Sequence, residues 1–324
     1  MWNDLIDAAA EVVDLFPVAD MSRAQPNVDS AMDPCAHATS ARTEFLEIAG
    51  DAGNRLGMIG FEFVNAEYGD GVLTPAKRDE FKVDFCREMT RLEKWAADLN
   101  WVAVALPELQ VFVSDRYKIS KSLVPAWYGQ AGRMEFPVRR VLPGEAAIAH
   151  ELVHVFFPSG NRFLAEGLAV YLQAAIGGNP AFPNFGKPLH EHVREKLSET
   201  ADSWAGRLCL EQVHLAELDA IATPNRLTLR VVDAVRGEEQ RGPAFTYPIA
   251  GSFVQFLIET RGMEMFRSLY EQTPFVPLTQ KAGSPDRWLA IFNVALADLE
   301  DEWKSMIVAG VPAAKTSRAT ADHV

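Results

Sequence analysis

Hydrophobic positions along this chain change period several times, and each change marks an element. Over residues 2–16, Leu5, Ile6, Ala9, Val12, Val13 and Phe16 recur on one side of an acidic helix. Residues 17–40 lose that periodicity and are rich in Pro, Ser, Asp and Ala, the composition of a linker. Helical spacing returns over 42–56, and the alternation of GMIGFEFV (57–64) then predicts a strand. Residues 75–99 predict a long charged helix that buries Phe81, Phe85, Met89, Leu92 and Trp95. LQVFV (109–113) reads as a compact strand, and residues 125–136 and 138–141 supply further β material. Beyond residue 145 the pattern is mainly helical, with helices expected over 146–157, 163–176, 249–261, 263–272 and 285–307. Residues 236–242 read as a charged loop, and residues 312–324 as a disordered tail.

Two of these helices carry polar groups where a core is expected. Between Ala146 and Phe157 the only polar side chains are His150, Glu151 and His154, in the string HELVH. A helix apolar all round is a buried one. Residues four apart lie on one face, so His150 and His154 can aim two imidazoles at one ion. Glu151 can then reach a water on that ion without binding it, the arrangement of a zinc site with a built-in general base. A catalytic zinc needs a third protein ligand, and Glu166 is the candidate. Pro158-Ser159-Gly160 breaks the first helix, and Glu166 is the only acid of the second, which runs to Gly177-Gly178-Asn179-Pro180. A lone carboxylate among Phe, Leu, Ala, Val and Ile side chains is costly unless a cation resolves it.

HELVH followed by LAEGLAVYL resembles the gluzincin metallopeptidases, specifically over residues 145–173. The likeness is greatest to the broad peptidase-MA-like group, which includes aminopeptidases whose second helix reads WLNEGFA. Gly160 stands where a metzincin has its third histidine. The resemblance implies one zinc ion per chain on His150, His154 and Glu166, with Glu151 as general base. It also implies an edge strand just upstream of the metal helix, beside which an extended peptide lies. Gly132-Arg133-Met134-Glu135 resembles the GAMEN segment of those aminopeptidases, which implies substrate contacts at Gly132 and an amine anchor at Glu135. YPIAGSFVQFLIETRG (247–262) resembles a segment that opens on an oxyanion-stabilising tyrosine. That implies the role for Tyr247, with Tyr128 in reserve.

Composition narrows the partners. A net charge of -13 leaves no basic stripe to track phosphates, so no nucleic-acid partner is expected. The N-terminus lacks a positive region and no apolar run reaches membrane-spanning length, so no membrane partner is expected. Cys35, Cys86 and Cys209 are odd in number and far apart, which suits a reducing compartment, and the expected location is cytoplasmic. His190 and His192 are two apart, cannot share a metal on a helix, and read as a solvated face.

The expected fold is α+β and zincin-like, with the metal in a cleft between a small β-containing upper lobe and a helical lower lobe. Residues 1–41 form an N-terminal helix and extension, 42–144 the upper lobe, 145–310 the catalytic lobe and 311–324 the tail. The expected function is zinc-dependent cleavage of peptide bonds by a metal-activated water. The alternative is a related zinc hydrolase acting on a non-peptide amide or small molecule, and a third reading is a non-catalytic, metal-stabilised scaffold.

Overall fold

Ile59, Phe61 and Phe63 alternate along one strand, and all three point to the same buried face. That face is the centre of a five-stranded sheet. In the computed structural model, residues 43–47, 56–64, 71–104, 106–123, 132–198, 208–233 and 237–310 are described. The expected N-terminal helix, the linker, Tyr128 and the tail lie outside these residues.

The sheet comprises β1 (Thr43–Glu47), β2 (Leu56–Val64), β3 (Leu106–Ser114), β4 (Lys121–Leu123) and β5 (Gly132–Pro137), in the order β1-β2-β3-β5-β4. β2, β3 and β5 are parallel, and antiparallel β1 and β4 close the two edges. Parallel neighbours need a crossover, and α1 (Pro75–Asp98) supplies the one between β2 and β3. Thr74 caps α1 by accepting from Lys77 N, and Pro75 follows at its first position. The aromatic stripe read from the sequence packs on the sheet: Phe85 meets Phe61 edge-on at 5.4 Å, and Phe81 meets Phe136 at 5.4 Å.

The second half is mainly helical. Its elements are α2 (Val138–Val141), α3 (Ile148–Phe156), α4 (Arg162–Ala175), α5 (Leu189–Lys196), α6 (Leu215–Asp219), α7 (Pro243–Arg261), α8 (Met263–Glu271), α9 (Asp286–Phe292) and α10 (Leu296–Ala309). Two small ladders interrupt them: β6 (Leu197–Ser198) with β7 (Leu208–Cys209), and β8 (Leu229–Asp233) with β9 (Gly237–Arg241). One continuous cluster of buried side chains runs from Ile59 in the sheet to Ile307 in α10. The architecture is therefore a mixture of helix and strand, with the sheet built first and the helices following.

Several local expectations change. Residues 43–47 are not helical; their backbone pairs with the outer edge of β2. β5 is not the edge strand, because it is paired on both sides; the edge is β4. Val138–Val141 forms a helical turn that starts at Pro137 and closes through Leu142 N to Val138 O at 2.9 Å. The charged 237–241 segment is a strand whose partner, β8, supplies the apolar Leu229 and Val231. α7 begins at Pro243 and passes through Pro248, which forgoes one helical hydrogen bond without ending the helix. The expected 285–307 helix is two helices, separated where Asn293 turns left-handed at φ 54°.

Candidate metal centre

The helix that carries HELVH does not cap itself. Ala147, at the start of α3, makes no side-chain cap. The exposed N–H groups of the first turn find acceptors elsewhere. Glu88, from α1, takes Ala149 N at 2.8 Å on Oε2 and Gly178 N at 3.0 Å on Oε1. Gln173, from α4, takes His150 N at 3.1 Å. Burial pushes the Glu88 carboxyl up to about 7, against the two N–H donors that favour its charged form.

The second helix does cap itself. Asn161 Oδ1 accepts from Leu164 N at 2.8 Å, while its Nδ2 donates to Asp219 O at 2.7 Å and Ala282 O at 2.8 Å. Starting the helix at Arg162 places that residue one turn before Glu166. At the far side, α4 lies close against α7: a Cβ on Gly167 would sit 2.5 Å from Val254 Cγ2 and 2.8 Å from Ala250 O.

These two helices bring three atoms together. His150 Nε2 lies 3.1 Å from His154 Nε2 and 3.2 Å from Glu166 Oε2, and His154 Nε2 lies 3.5 Å from the same oxygen. A tetrahedral zinc with ligands at about 2.0–2.1 Å separates its ligand atoms by about 3.3–3.4 Å, so the spacing fits. Glu166 Oε2 is buried and has no aligned hydrogen-bond donor, although both imidazoles face it. An orphaned buried carboxylate oxygen opposite two ring nitrogens is a set that could hold a metal ion. Among the described residues it is the one such group of three.

The charges around it are paired. Glu166 Oε1 accepts from Arg162 Nη2 at 2.7 Å. Burial would raise the Glu166 carboxyl, but Arg162 and the two imidazoles hold it well below the usual carboxylate range. Burial would likewise lower His150; Glu166 outweighs it and leaves the imidazole above its ordinary value. A proton and a metal compete for that same lone pair. His150 Nδ1 has no protein partner, and the ring is held by Tyr247, whose plane lies 22° from it at 6.0 Å.

Glu151 is buried beside the ligands, and Ser122 Oγ donates to its Oε2 at 2.5 Å. Ser122 comes from β4, so the edge strand touches the expected general base. Tyr247 is brought to the site as well. Its hydroxyl accepts from Arg162 Nη2 at 3.3 Å, and burial pushes its ionisation upward, keeping it a proton donor.

The structure does not bring Glu135 or Gly132 to the ligands. Strand alternation puts Met134 and Ser122 on the face toward α3, and Glu135 on the opposite face. Its carboxylate is taken by Arg133 at 2.7 Å and Lys121 at 2.8 Å, on the side of the sheet away from the expected amine-anchor position. Gly132 is a packing position: a Cβ there would lie 3.1 Å from Leu109 Cδ1 and 3.5 Å from Val155 Cγ1. His192 is buried rather than solvated, and burial pushes it down to about 4.

Arg162, Ser122, Glu88 and Gln173 are the residues that sequence reasoning missed. Only Arg162 carried a local signal, its four-residue spacing to Glu166. No helix among the described residues is long and apolar enough to cross a membrane. No protein-family model and no curated protein matches the chain.

Proposed function

We propose that the protein is a zinc-dependent hydrolase that cleaves peptide bonds. The observation that carries the reading is the convergence of His150 Nε2, His154 Nε2 and Glu166 Oε2 within 4.8 Å, with the Glu151 carboxylate beside them. Zinc, when bound, supplies a water acidified toward neutrality and polarises the scissile carbonyl. Glu151 accepts a proton and returns it to the leaving amine nitrogen, acting as base and then acid. Ser122 occupies Oε2, which leaves Oε1 as the oxygen for that proton. The Tyr247 hydroxyl accepts from Arg162, and burial keeps its proton in place, so it can donate to the developing oxyanion. Burial of His150, Glu151 and Glu166 limits competing water and strengthens each of these interactions.

The test is zinc content by mass spectrometry on wild type and Glu166→Ala, alongside turnover of a peptide library and a panel of small amides. One zinc per wild-type chain, much less in the variant, and cleavage of peptides support the reading. Glu151→Gln should keep the metal and lose turnover. Absence of zinc after reconstitution, or full activity in Glu151→Gln, would overturn it; cleavage of small amides alone would replace peptide by non-peptide substrate.

A further inference from the structure

Three cations meet at the head of α7. Lys196 is the last residue of α5, and its Nζ lies 5.4 Å from the centre of the Phe245 ring. Arg241, the last residue of β9, places its guanidinium carbon 5.4 Å from the same ring. Arg226 lies against Gly242, with Nη2 3.2 Å from the position that a Cβ there would take. Thr246 Oγ1 donates to Leu227 O at 2.9 Å and holds the Arg226 segment to the first turn of the helix. Residues 241–245, Lys196 and Arg226 are all half-buried, so the cluster is sheltered yet open to a ligand.

Little neutralises these charges, although the chain as a whole carries a net charge of -13. Glu239 takes Arg241 Nη2 at 3.0 Å, but Arg241 Nε is buried without an acceptor. Glu195, next to Lys196 in the chain, is held by Lys187 at 2.5 Å. Among the described residues no carboxylate pairs with Lys196 or Arg226. The Phe245 ring offers its two cations a favourable face but no charge. The helix adds to the field. α7 is 19 residues long, no side chain caps it, and Pro243 leaves Ala244 as its first N–H.

A buried imidazole stands beside the cluster. His192 is four residues before Lys196, hence on the same face of α5, and is 9% exposed. Neither of its ring nitrogens has an aligned hydrogen-bond partner. Burial, then the charges of Lys196 and Lys187, push it down to about 4, so the field at the ring is positive. The imidazole and the Arg241 Nε both lack an acceptor, and an oxyanion is an acceptor.

We propose that the head of α7 is a binding site for a phosphate group, held by Lys196, Arg226, Arg241 and the first-turn N–H of α7, with His192 as a neutral donor. Phosphate suits the site better than a carboxylate. Glu239 offsets one of the three cations, and the two charges that remain match a dianion. Two guanidinium forks and an uncapped helix start both fit a group with several acceptor oxygens. None of these residues belongs to the His150, His154 and Glu166 group, so the site stands whether or not that group holds a metal.

The test is calorimetric titration of the full chain with inorganic phosphate, glycerol phosphate and acetate at fixed ionic strength, at about pH 8, where phosphate is a dianion. Wild type should bind one phosphate saturably and about tenfold more tightly than acetate. Arg226→Gln and Lys196→Gln should each weaken phosphate about tenfold, the scale of one charge-assisted hydrogen bond, while unfolding as wild type does without phosphate. Arg226→Lys, which keeps the charge, should fall between. Glu166→Ala should bind phosphate as wild type does. The His192 imidazole, followed by NMR, should titrate at higher pH in phosphate than in chloride, because the anion offsets the two lysines. Equal affinities for glycerol phosphate and phosphate would make free phosphate the occupant, and tighter binding of the ester would make it a phosphorylated small molecule; both uphold the site. Four results would overturn it: no saturable binding, acetate held as tightly as phosphate, affinity lost in Glu166→Ala but kept in both glutamine variants, or a His192 titration indifferent to phosphate.

Discussion

Ser122, on the edge strand of the sheet, holds the carboxylate of Glu151, on the helix beneath it, with a hydroxyl donated at 2.5 Å. The contact fixes one oxygen of the expected general base and so orients the other. Ser122→Ala should lower kcat by about tenfold, the scale of losing orientation at a reacting group. Zinc content and KM should stay as in wild type. Steady-state kinetics with a metal assay check this, and unchanged kcat would show that the rotamer of Glu151 is set by packing alone.

Arg162 acts on the ligand from the other side. It pairs with Glu166 Oε1 and keeps the carboxylate ionised, ready for a cation. Partners of metal ligands typically contribute about 10- to 100-fold in affinity, and Arg162→Met should lose zinc affinity in that range. Competition against a chelator of known affinity measures it. In the metal-free protein the same substitution leaves a buried carboxylate oxygen without its partner and should cost about 3–5 kcal/mol.

Glu88 gives a stability change with pH. Its carboxyl titrates near 4.5 in the unfolded chain and at about 7 in the folded one, because burial disfavours the charge. Between those values the folded state binds the extra proton. The Glu88 contribution is therefore greatest below pH 4.5 and is lost as pH rises through about 7. The swing is on the order of 3 kcal/mol. Denaturant unfolding of wild type and Glu88→Gln across that range should show the slope in the former and a flatter profile in the latter. Glu88→Ala removes the acceptor of Ala149 N, leaving Gln173 on His150 N, and should cost about 2 kcal/mol at low pH.

Gly167 sets the distance between α4 and α7. Alanine there would meet Val254 and the Ala250 carbonyl at less than ordinary contact, so one helix must move. Gly167→Ala should destabilise the metal-free protein by about 1–3 kcal/mol. It should also weaken zinc binding, because Glu166 precedes it and Tyr247 rides on the helix displaced. Unfolding and zinc titration of the same samples separate the two effects.

What the sequence made legible was whatever depends on one helical period. The pairing of His150 with His154 and the buried stripe of α1 needed nothing beyond spacing. The place of Glu166 in the group that could hold an ion was legible because it is the one acid on an apolar helix. An expected start at Phe163 leaves Arg162 outside that helix; the Asn161 cap moves the start back one residue and brings Arg162 into register with Glu166. Glu88, Ser122 and Gln173 meet partners 61, 29 and 23 residues away, and no local pattern encodes such distances. The face that Glu135 takes is not legible for a related reason. Its segment reads as a strand from local composition, but its position in the sheet and the face that Glu135 takes are set by the register with β3 and β4.

The borrowed caps of α3 mean that the HELVH…E segment is not a portable cassette. Cut out as a peptide or grafted onto another scaffold, it would lose the Glu88 acceptor at its first turn, and with it the anchor to α1 and the sheet. The arrangement that could hold an ion belongs to the assembled molecule. Release of the ion and detachment of α1 should consequently occur as one cooperative event, visible as a single loss of amide-exchange protection spanning both helices.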